Sequence, residues 1–133
     1  EIVALMETAA ALGLFVLLEA FDEADLDLAG ELAEGTGERV TGISLPVLVG
    51  LNCRDLATLQ VVPGRLEALA PRLPQGLPRV AESGLDDAQD AARVAAAGYQ
   101  LALVGSALMK HATPGASMLA AGRGACAQRR SHG

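Results

Sequence analysis

Short runs of Leu and Val recur along this chain, and Ala-rich stretches with helical spacing separate them. Nearly continuous apolar runs are typical of strands that are covered on both faces, as the strands of a parallel sheet are. When such runs alternate with helices, each strand and the helix that follows it form one βα unit. The alternation therefore predicts an α/β fold built around a parallel sheet.

The apolar runs predict four strands, each ending in polar or small residues, at positions 14–20, 46–52, 79–83 and 101–105. Helices are predicted around them at 2–12, 22–34, 59–73 and 86–97, followed by a short helix at 115–121. Residues 38–45 are assigned no regular structure. The Gly, Arg and Ser content of 122–133 predicts a flexible C-terminal tail, so that residues 1–121 form the folded domain.

Composition and charge argue against several kinds of partner. A net charge of −6, no Trp, one Tyr and two Phe do not suit nucleic-acid binding, which needs clustered cations and stacking side chains. No apolar stretch approaches the roughly 18 residues of a membrane span, so no membrane partner is expected. Cys53 and Cys126 are too far apart to indicate a disulfide framework or a zinc site, which predicts a reducing cytoplasmic location.

Polar and small residues gather where the predicted strands end. Glu19, Asn52 and Glu82 lie at the ends of the first three strands, and Gly105 with Ser106 lies at the end of the fourth. Ligands of parallel α/β folds bind at the carboxyl ends of the strands, where loops and helix starts present free NH groups. The pattern predicts one site at this edge of the sheet.

Each of these residues also has a purely structural alternative. A carboxylate at the end of a buried strand, such as Glu19, needs a polar partner or a wet cleft, but it could instead cap the next helix. Asn52 can orient a substrate through its amide or form a turn. Glu82 could be an incidental acid in a βα turn, and a Gly-Ser pair such as Gly105 and Ser106 indicates a phosphate site only through its position.

Other chemically capable residues receive structural interpretations. Lys110, the only lysine, is predicted to lie on the surface, Cys53 to pack, and Arg54 with Asp55 to form a local ion pair or a helix cap. His111 and His132 do not have the spacing of a metal-binding pair, so no metal site is predicted.

Four segments together resemble a known enzyme family. LEAFDEADL, GLNCRDLATL, VAESGL and LVGSALM are similar, in order and spacing, to successive strand-end motifs of indole-3-glycerol phosphate synthase. That family folds as a (β/α)8 barrel and acts in tryptophan biosynthesis. The resemblance covers about residues 11–119 and matches only the second half of the barrel, its fifth to eighth strands. It implies a partial barrel of about four βα units.

The resemblance implies a lyase reaction that closes an indole ring on a phosphorylated carboxyphenylamino-deoxyribulose, with loss of carbon dioxide and water. It implies that Glu19 is a catalytic acid/base residue and that Asn52 is a catalytic residue lining the substrate site. Glu82 and Ser83 would bind the substrate, Glu82 against its anthranilate-derived part. The implied phosphate-binding residues are Gly84, Gly105 and Ser106. No cofactor is implied.

The sequence also departs from the family. The family's catalytic lysines come from the first three strands, which have no counterpart here, and the chain opens on Glu1 in a helical pattern without a capping signal. We therefore expect a polypeptide that has lost its start. We expect it to be inactive alone and to need the missing N-terminal half-barrel or to self-associate, because a half barrel has two open edges.

Two other functions fit parts of the pattern. The first is another phosphate-binding barrel isomerase, which would use a Cys/Asp or Asp/Asp pair where this chain has Glu19 and Glu82. The second is a non-catalytic phosphate-binding or assembly module, which would keep the glycines and lose the acids.

Overall fold

The computed structural model describes residues 1–36, 45–110 and 114–131 and consists of alternating helices and strands. The elements in chain order are helix α1 (Ile2–Ala11), strand β1 (Val16–Ala20), α2 (Glu23–Thr36), β2 (Val47–Asn52), α3 (Arg65–Leu69) with a 3-10 turn (Ala70–Arg72), β3 (Arg79–Glu82), α4 (Ala88–Ala97), β4 (Leu101–Leu103), α5 (Ser106–Lys110) and α6 (Pro114–Ser131). The predicted region 38–45 falls largely outside the described residues.

The four strands form one parallel sheet in the order β1-β2-β3-β4. Glu19 is paired with Gly50, and Asn52 is paired with Glu82. The predicted α/β class and the predicted parallel sheet are confirmed, and the arrangement is that of a partial barrel. Because the strands are parallel, all four carboxyl ends lie at the same edge of the sheet. Within the described residues, β1 and β4 each have a strand neighbour on one side only.

The two faces of the sheet differ in how they are covered. Ala20, Leu51 and Ala81 are fully buried on one face, where they pack against the helices. Side chains alternate between faces along a strand, so the neighbours of these residues point to the opposite face. That second face carries Glu19, Gly50, Asn52, Glu82 and, in β4, Leu101 and Leu103, which are 46% and 52% exposed. The helices thus build the core, and the second face holds the polar strand ends.

The apolar core explains why the helices lie where the sequence predicts them. Leu26 of α2, Leu66 of α3, Val94 of α4 and Met118 of α6 join the buried cluster beneath the sheet. Burial of such side chains contributes roughly 1.5–3 kcal/mol each relative to exposure. Tyr99 is also fully buried, and its hydroxyl donates a hydrogen bond of 2.7 Å to the carbonyl of Leu66.

Helix ends agree with the capping signals at several positions. Asp22 accepts a hydrogen bond from the backbone NH of Asp25 at the start of α2. Asp87 accepts from the NH groups of Gln89 and Asp90, which start α4. Gly98 ends α4 in a left-handed conformation at φ 106°, which favours glycine. The predicted helix 86–97 is confirmed, with Asp87 as its N-terminal cap and Gly98 as its C-terminal cap.

The helix predicted at 59–73 is wrong over its first half. The structure has a loop at 53–64, closed by an antiparallel bridge between Arg54 and Val61, and α3 begins only at Arg65. Gly64, at φ 76°, is the residue before the helix, and Pro63 precedes it. Leu59 also has a positive φ, 58°, which an α-helix cannot contain.

The C-terminal region also differs from expectation. A short helix at 115–121 and a flexible tail at 122–133 were predicted, but α6 is one helix from Pro114 to Ser131. The glycines of this segment lower its helical propensity, whereas its alanines and arginines favour a helix. α6 packs along α4 with Met118 buried, and this packing holds the helix in place. Within the described residues, no helix is long and apolar enough to cross a membrane.

Candidate active site

Two of the predicted site residues are joined directly at the carboxyl ends of β1 and β2. The amide Nδ2 of Asn52 donates a hydrogen bond of 2.6 Å to Oε1 of Glu19. The alternative interpretation of Glu19 as a helix cap does not hold, because Asp22 provides the cap of α2 and the Glu19 carboxylate is bonded to Asn52. An Asn amide that donates to a carboxylate fixes the orientation of that carboxylate.

The oxygen of the Asn52 amide binds the backbone at the start of the next loop. Its Oδ1 accepts a hydrogen bond of 2.8 Å from the backbone NH of Arg54. Asn52 therefore performs both roles that the sequence left open, since one amide atom forms the turn and the other contacts the acid. The amide orientation is determined by these two bonds together, because only the nitrogen can donate to Glu19 and only the oxygen can accept from Arg54.

Glu82 is the last residue of β3 and is only 6% exposed, although it carries a carboxyl group. Burial, the negative charge of Glu19 and a hydrogen bond with Glu19 raise the pKa of Glu82 to about 7, from an ordinary value near 4.5. No NH or OH group of the described residues donates to Glu82 Oε1. A hydrogen bond between Glu82 and Glu19 therefore requires a proton on one of the two carboxyl groups.

The resulting arrangement is a pair of carboxyl groups, in which the pKa of Glu82 is raised to about 7 beside Glu19. Two carboxylates in contact repel each other, so one of them holds its proton to a higher pH than an isolated acid would. A group that titrates near the operating pH can both donate and accept a proton efficiently. Glu19 and Glu82, with Asn52 holding Glu19, are therefore equipped for acid/base chemistry.

Gly50 also belongs to this cluster, although it was not predicted from the sequence. A Cβ added at Gly50 would overlap Oε1 of Glu82, so the Glu82 carboxyl occupies the space where a side chain would be. The available signal was a glycine inside an apolar strand run, because such glycines mark a close approach by another group.

Ser83 and Gly84 form the turn that follows β3, and both have a positive φ, 65° and 67°. For a non-glycine residue such as Ser83 this conformation costs about 1–2 kcal/mol. At Gly84 an added Cβ would lie 3.3 Å from Sγ of Cys53 and 3.1 Å from Cγ1 of Val61. Gly84 thus allows the loop after β3 to pack closely on the loop after β2.

Gly105 and Ser106 follow β4, and both are exposed. Ser106 is the first residue of α5, and the carbonyl of Gly105 accepts from the backbone NH of Met109. Because β3 and β4 are neighbours, paired at Glu82 and Leu103, this loop and the Ser83–Gly84 turn begin at adjacent points of one sheet edge. The structure thus places the start of both loops side by side and leaves Gly105 and Ser106 accessible.

Arg54 and Asp55, next to Asn52, were predicted to form a local ion pair or a helix cap. Asp55 accepts hydrogen bonds from the NH groups of Ala57 and Thr58 and from the Thr58 hydroxyl, which hold the pKa of Asp55 below its ordinary value. Arg54 donates to the carbonyl of Leu59, and no Arg54–Asp55 ion pair is found in the described part of the chain. Asp55 therefore caps a turn of the loop, and the predicted ion pair is wrong.

Two remaining predictions concern Cys53 and metal binding. Cys53 is buried and its thiol contacts the carbonyl of Val62 at 3.0 Å, so its predicted packing role is confirmed. In residues 1–36, 45–110 and 114–131, no three His, Cys, Asp or Glu residues form a group that could hold a metal ion. His111 and His132 lie outside the described residues.

The chain is similar to known proteins over most of its length. The sequence profile of indole-3-glycerol phosphate synthase matches residues 1–119. The indole-3-glycerol phosphate synthase of Micrococcus luteus is 35% identical over 114 residues, which are 86% of this chain and 38% of the relative. The enzyme of the same name from Exiguobacterium sp. is 39% identical over 106 residues, which are 80% of this chain and 37% of the relative.

A solved structure supports the fold independently. A chain of the Amycolatopsis orientalis BexX/CysO complex superposes with a TM-score of 0.66 over 97% of this chain and 50% of its own length, at 22% identity. At this identity the likeness concerns the fold alone. The chain spans less than two fifths of the length of the two synthase relatives.

Proposed function

The chain belongs to the indole-3-glycerol phosphate synthase family, and from this premise we propose that it carries the acid/base and phosphate-binding part of that lyase. The substrate is 1-(2-carboxyphenylamino)-1-deoxyribulose 5-phosphate. In the reaction, the ring carbon that bears the carboxylate bonds to the ribulose ketone carbon, and carbon dioxide leaves. Loss of the former ketone oxygen as water then completes the pyrrole ring.

The observation that carries the proposal is the contact between Glu19 and Glu82 at the mouth of the sheet. Ring closure needs a proton for the ketone oxygen, and the dehydration step needs proton transfer again. A carboxyl pair that holds one proton near pH 7 suits both steps, because general acid/base catalysis works best when the pKa lies near the operating pH. Glu19, which is the more exposed of the two, is the proposed acid/base residue.

Asn52 is proposed to act beside Glu19 in the same step. Its Nδ2 already holds the Glu19 carboxylate at 2.6 Å, so the amide keeps the acid in one orientation as the ring forms. Glu82 and Ser83 are proposed to bind the substrate, Glu82 next to the anthranilate-derived ring. The burial of Glu82 supports this position, because an aromatic ring would rest on a largely dehydrated part of the site.

The phosphate group is proposed to bind at Gly84, Gly105 and Ser106. These residues belong to the two loops that follow the neighbouring strands β3 and β4. Loops after the last two strands of a barrel are a recurring phosphate site of this fold, where backbone NH groups face the anion. At Gly105, no atom of the described residues beyond its chain neighbours lies within 4 Å of where a Cβ would be, so the backbone there is open to a close approach.

Turnover by this chain alone is not expected. The reaction needs a cationic acid near the ketone oxygen, and the only lysine of the chain, Lys110, lies in α5. We propose that a chain supplying the family's strand-end lysines must complete the site, and that the open edges at β1 and β4 receive it or a second copy of this chain. A cytoplasmic location is part of the same proposal.

The experiment combines this chain with the N-terminal half of the Micrococcus luteus relative and follows indole formation from the ribulose phosphate substrate. The chain alone should give no product, and the mixture should give product that is lost with Glu19→Gln. The same assay with Leu119→Ala, an exposed position on α6, serves as the matched control. Product from the chain alone at the rate of complete synthases, or equal activity of Glu19→Gln in the mixture, would contradict the proposal.

A further inference from the structure

The contact between Glu19 and Glu82 spans two strands that are not neighbours. Glu19 lies on β1 and Glu82 lies on β3, with β2 between them. Adjacent strands are about 4.8 Å apart, so the backbones of β1 and β3 are separated by about 10 Å. A side chain on β2 that points to the same face would normally stand between the two acids.

The residue at that position of β2 is Gly50. Glu19 is paired with Gly50, whereas Glu82 is paired with Asn52, two residues further along β2. The Glu82 side chain therefore leans back from the level of Asn52 to the level of Gly50 and lies over the glycine. A Cβ placed on Gly50 would overlap Oε1 of Glu82 and would lie 2.9 Å from its Cδ atom.

The backbone conformation does not explain a glycine at position 50. Gly50 lies inside β2 and is not among the glycines with a positive φ in the described part of the chain. A glycine inside a strand is less stable than an alanine there by about 0.5–1 kcal/mol, since it has more conformational freedom to lose on folding. In the described part of the chain, apart from its chain neighbours, the only atoms within 3 Å of its missing Cβ belong to Glu82, and Cδ1 of Leu17 follows at 3.2 Å.

We propose that Gly50 is a positioning residue for the acid pair, because the space left by its missing side chain seats the Glu82 carboxyl beside Glu19. Any side chain at position 50 would move that carboxyl away from β1 and toward the open mouth of the sheet. Glu82 would then lose its contact with Glu19. The inference rests on the proposed function, in which Glu19 is the acid/base residue and Glu82 binds the substrate beside it, but its test does not depend on turnover.

The test is the titration of Glu82 in Gly50→Ala, followed by the NMR signals of the Glu side-chain carboxyl carbons. In the unchanged protein Glu82 should titrate near pH 7. In Gly50→Ala its pKa should fall toward its ordinary value, because the carboxyl gains solvent and loses contact with Glu19. Gly30→Ala is the matched control: an added Cβ there makes only an ordinary contact of 3.6 Å with Pro74, so the Glu82 titration should not change.

A rescue experiment separates positioning from a general packing defect. Gly50→Ala should lower the melting temperature, and the same change made in a Glu82→Ala background should lose most of that effect, because the overlapping carboxyl is gone. A Gly50→Ala protein that does not fold should recover its fold when Glu82→Ala is added. A folded Gly50→Ala protein with an unchanged Glu82 titration would overturn the proposal, as would an equal loss of melting temperature in both backgrounds.

Discussion

The amide of Asn52 links Glu19, through a 2.6 Å hydrogen bond, to the backbone of the loop that starts at Arg54. The acid at the end of β1 is thereby oriented by a residue whose own orientation is determined by β2 and the following loop. This relationship joins two neighbouring strand ends into one unit, and it provides the first of four predictions.

Asn52→Ala should destabilise the protein by about 1 kcal/mol, because a side-chain hydrogen bond contributes roughly 0.5–1.5 kcal/mol net. Urea unfolding measures the change. A double-mutant cycle with Glu19→Ala should give a coupling energy of the same size, since the two residues are in direct contact. Additive effects of the two substitutions would contradict the direct bond between them.

The stability of the protein should depend on pH through Glu82. Its pKa is raised to about 7 in the folded protein from about 4.5, so between these values the folded state holds a proton that the unfolded state releases. The stabilising contribution is therefore complete below about pH 4.5 and is lost as the pH rises through about 7. The melting temperature of the protein should fall relative to that of Glu82→Gln over this range.

This comparison cancels the contributions of the acids that do not contact Glu82. Asp55, whose pKa is lowered by its hydrogen bonds to Thr58 and Ala57, acts in the opposite direction and at lower pH. A difference between the two melting curves that stays constant from pH 4.5 to 7.5 would show that Glu82 keeps an ordinary pKa.

Inorganic phosphate should raise the melting temperature if the loops after β3 and β4 bind it, because a ligand of the native state alone stabilises that state. At a phosphate concentration of about 100 times Kd the stabilisation would be about 2.7 kcal/mol. Ser106→Asp should abolish the effect by charge repulsion, and Glu19→Gln should retain it. Equal loss in both variants, or an equal shift in Ser106→Asp and the unchanged protein, would rule out a phosphate site at Ser106.

Asp87→Ala should cost about 1 kcal/mol, because Asp87 is the N-cap of α4 and accepts from two backbone NH groups. Thermal unfolding followed by circular dichroism measures this change. Gln89→Ala, at an exposed position in the same turn, should change the stability by no more than a few tenths of a kcal/mol. If the two substitutions had equal effects, the side chain of Asp87 would not be the cap.

Some features of the site follow from short-range patterns alone. The apolar runs predict β1 to β4, and the parallel arrangement brings every strand end to one edge, so the sequence alone places Glu19, Asn52 and Glu82 there. The helix 86–97 could likewise be predicted from the sequence, because Asp87 and Gly98 cap its two ends. Apolar runs and helix caps depend only on residues that are close together in the sequence.

Features that depend on contacts between residues distant in sequence could not be predicted from local sequence patterns. Residues 59–64 were predicted to begin a helix, but the loop at 53–64 closes on itself through the bridge between Arg54 and Val61. The extent of α6 depends on its packing along α4, which local composition does not report.

By itself, the sequence determined the fold class, the approximate positions of the strands and the polar character of the strand ends, since periodicity and capping are local properties of the chain. The tertiary structure alone decided that Glu82 leans over Gly50 to meet Glu19, because that contact joins two strands separated by a third. The raised pKa of Glu82 follows from this contact and from burial, which are properties of the packed sheet and of no single segment.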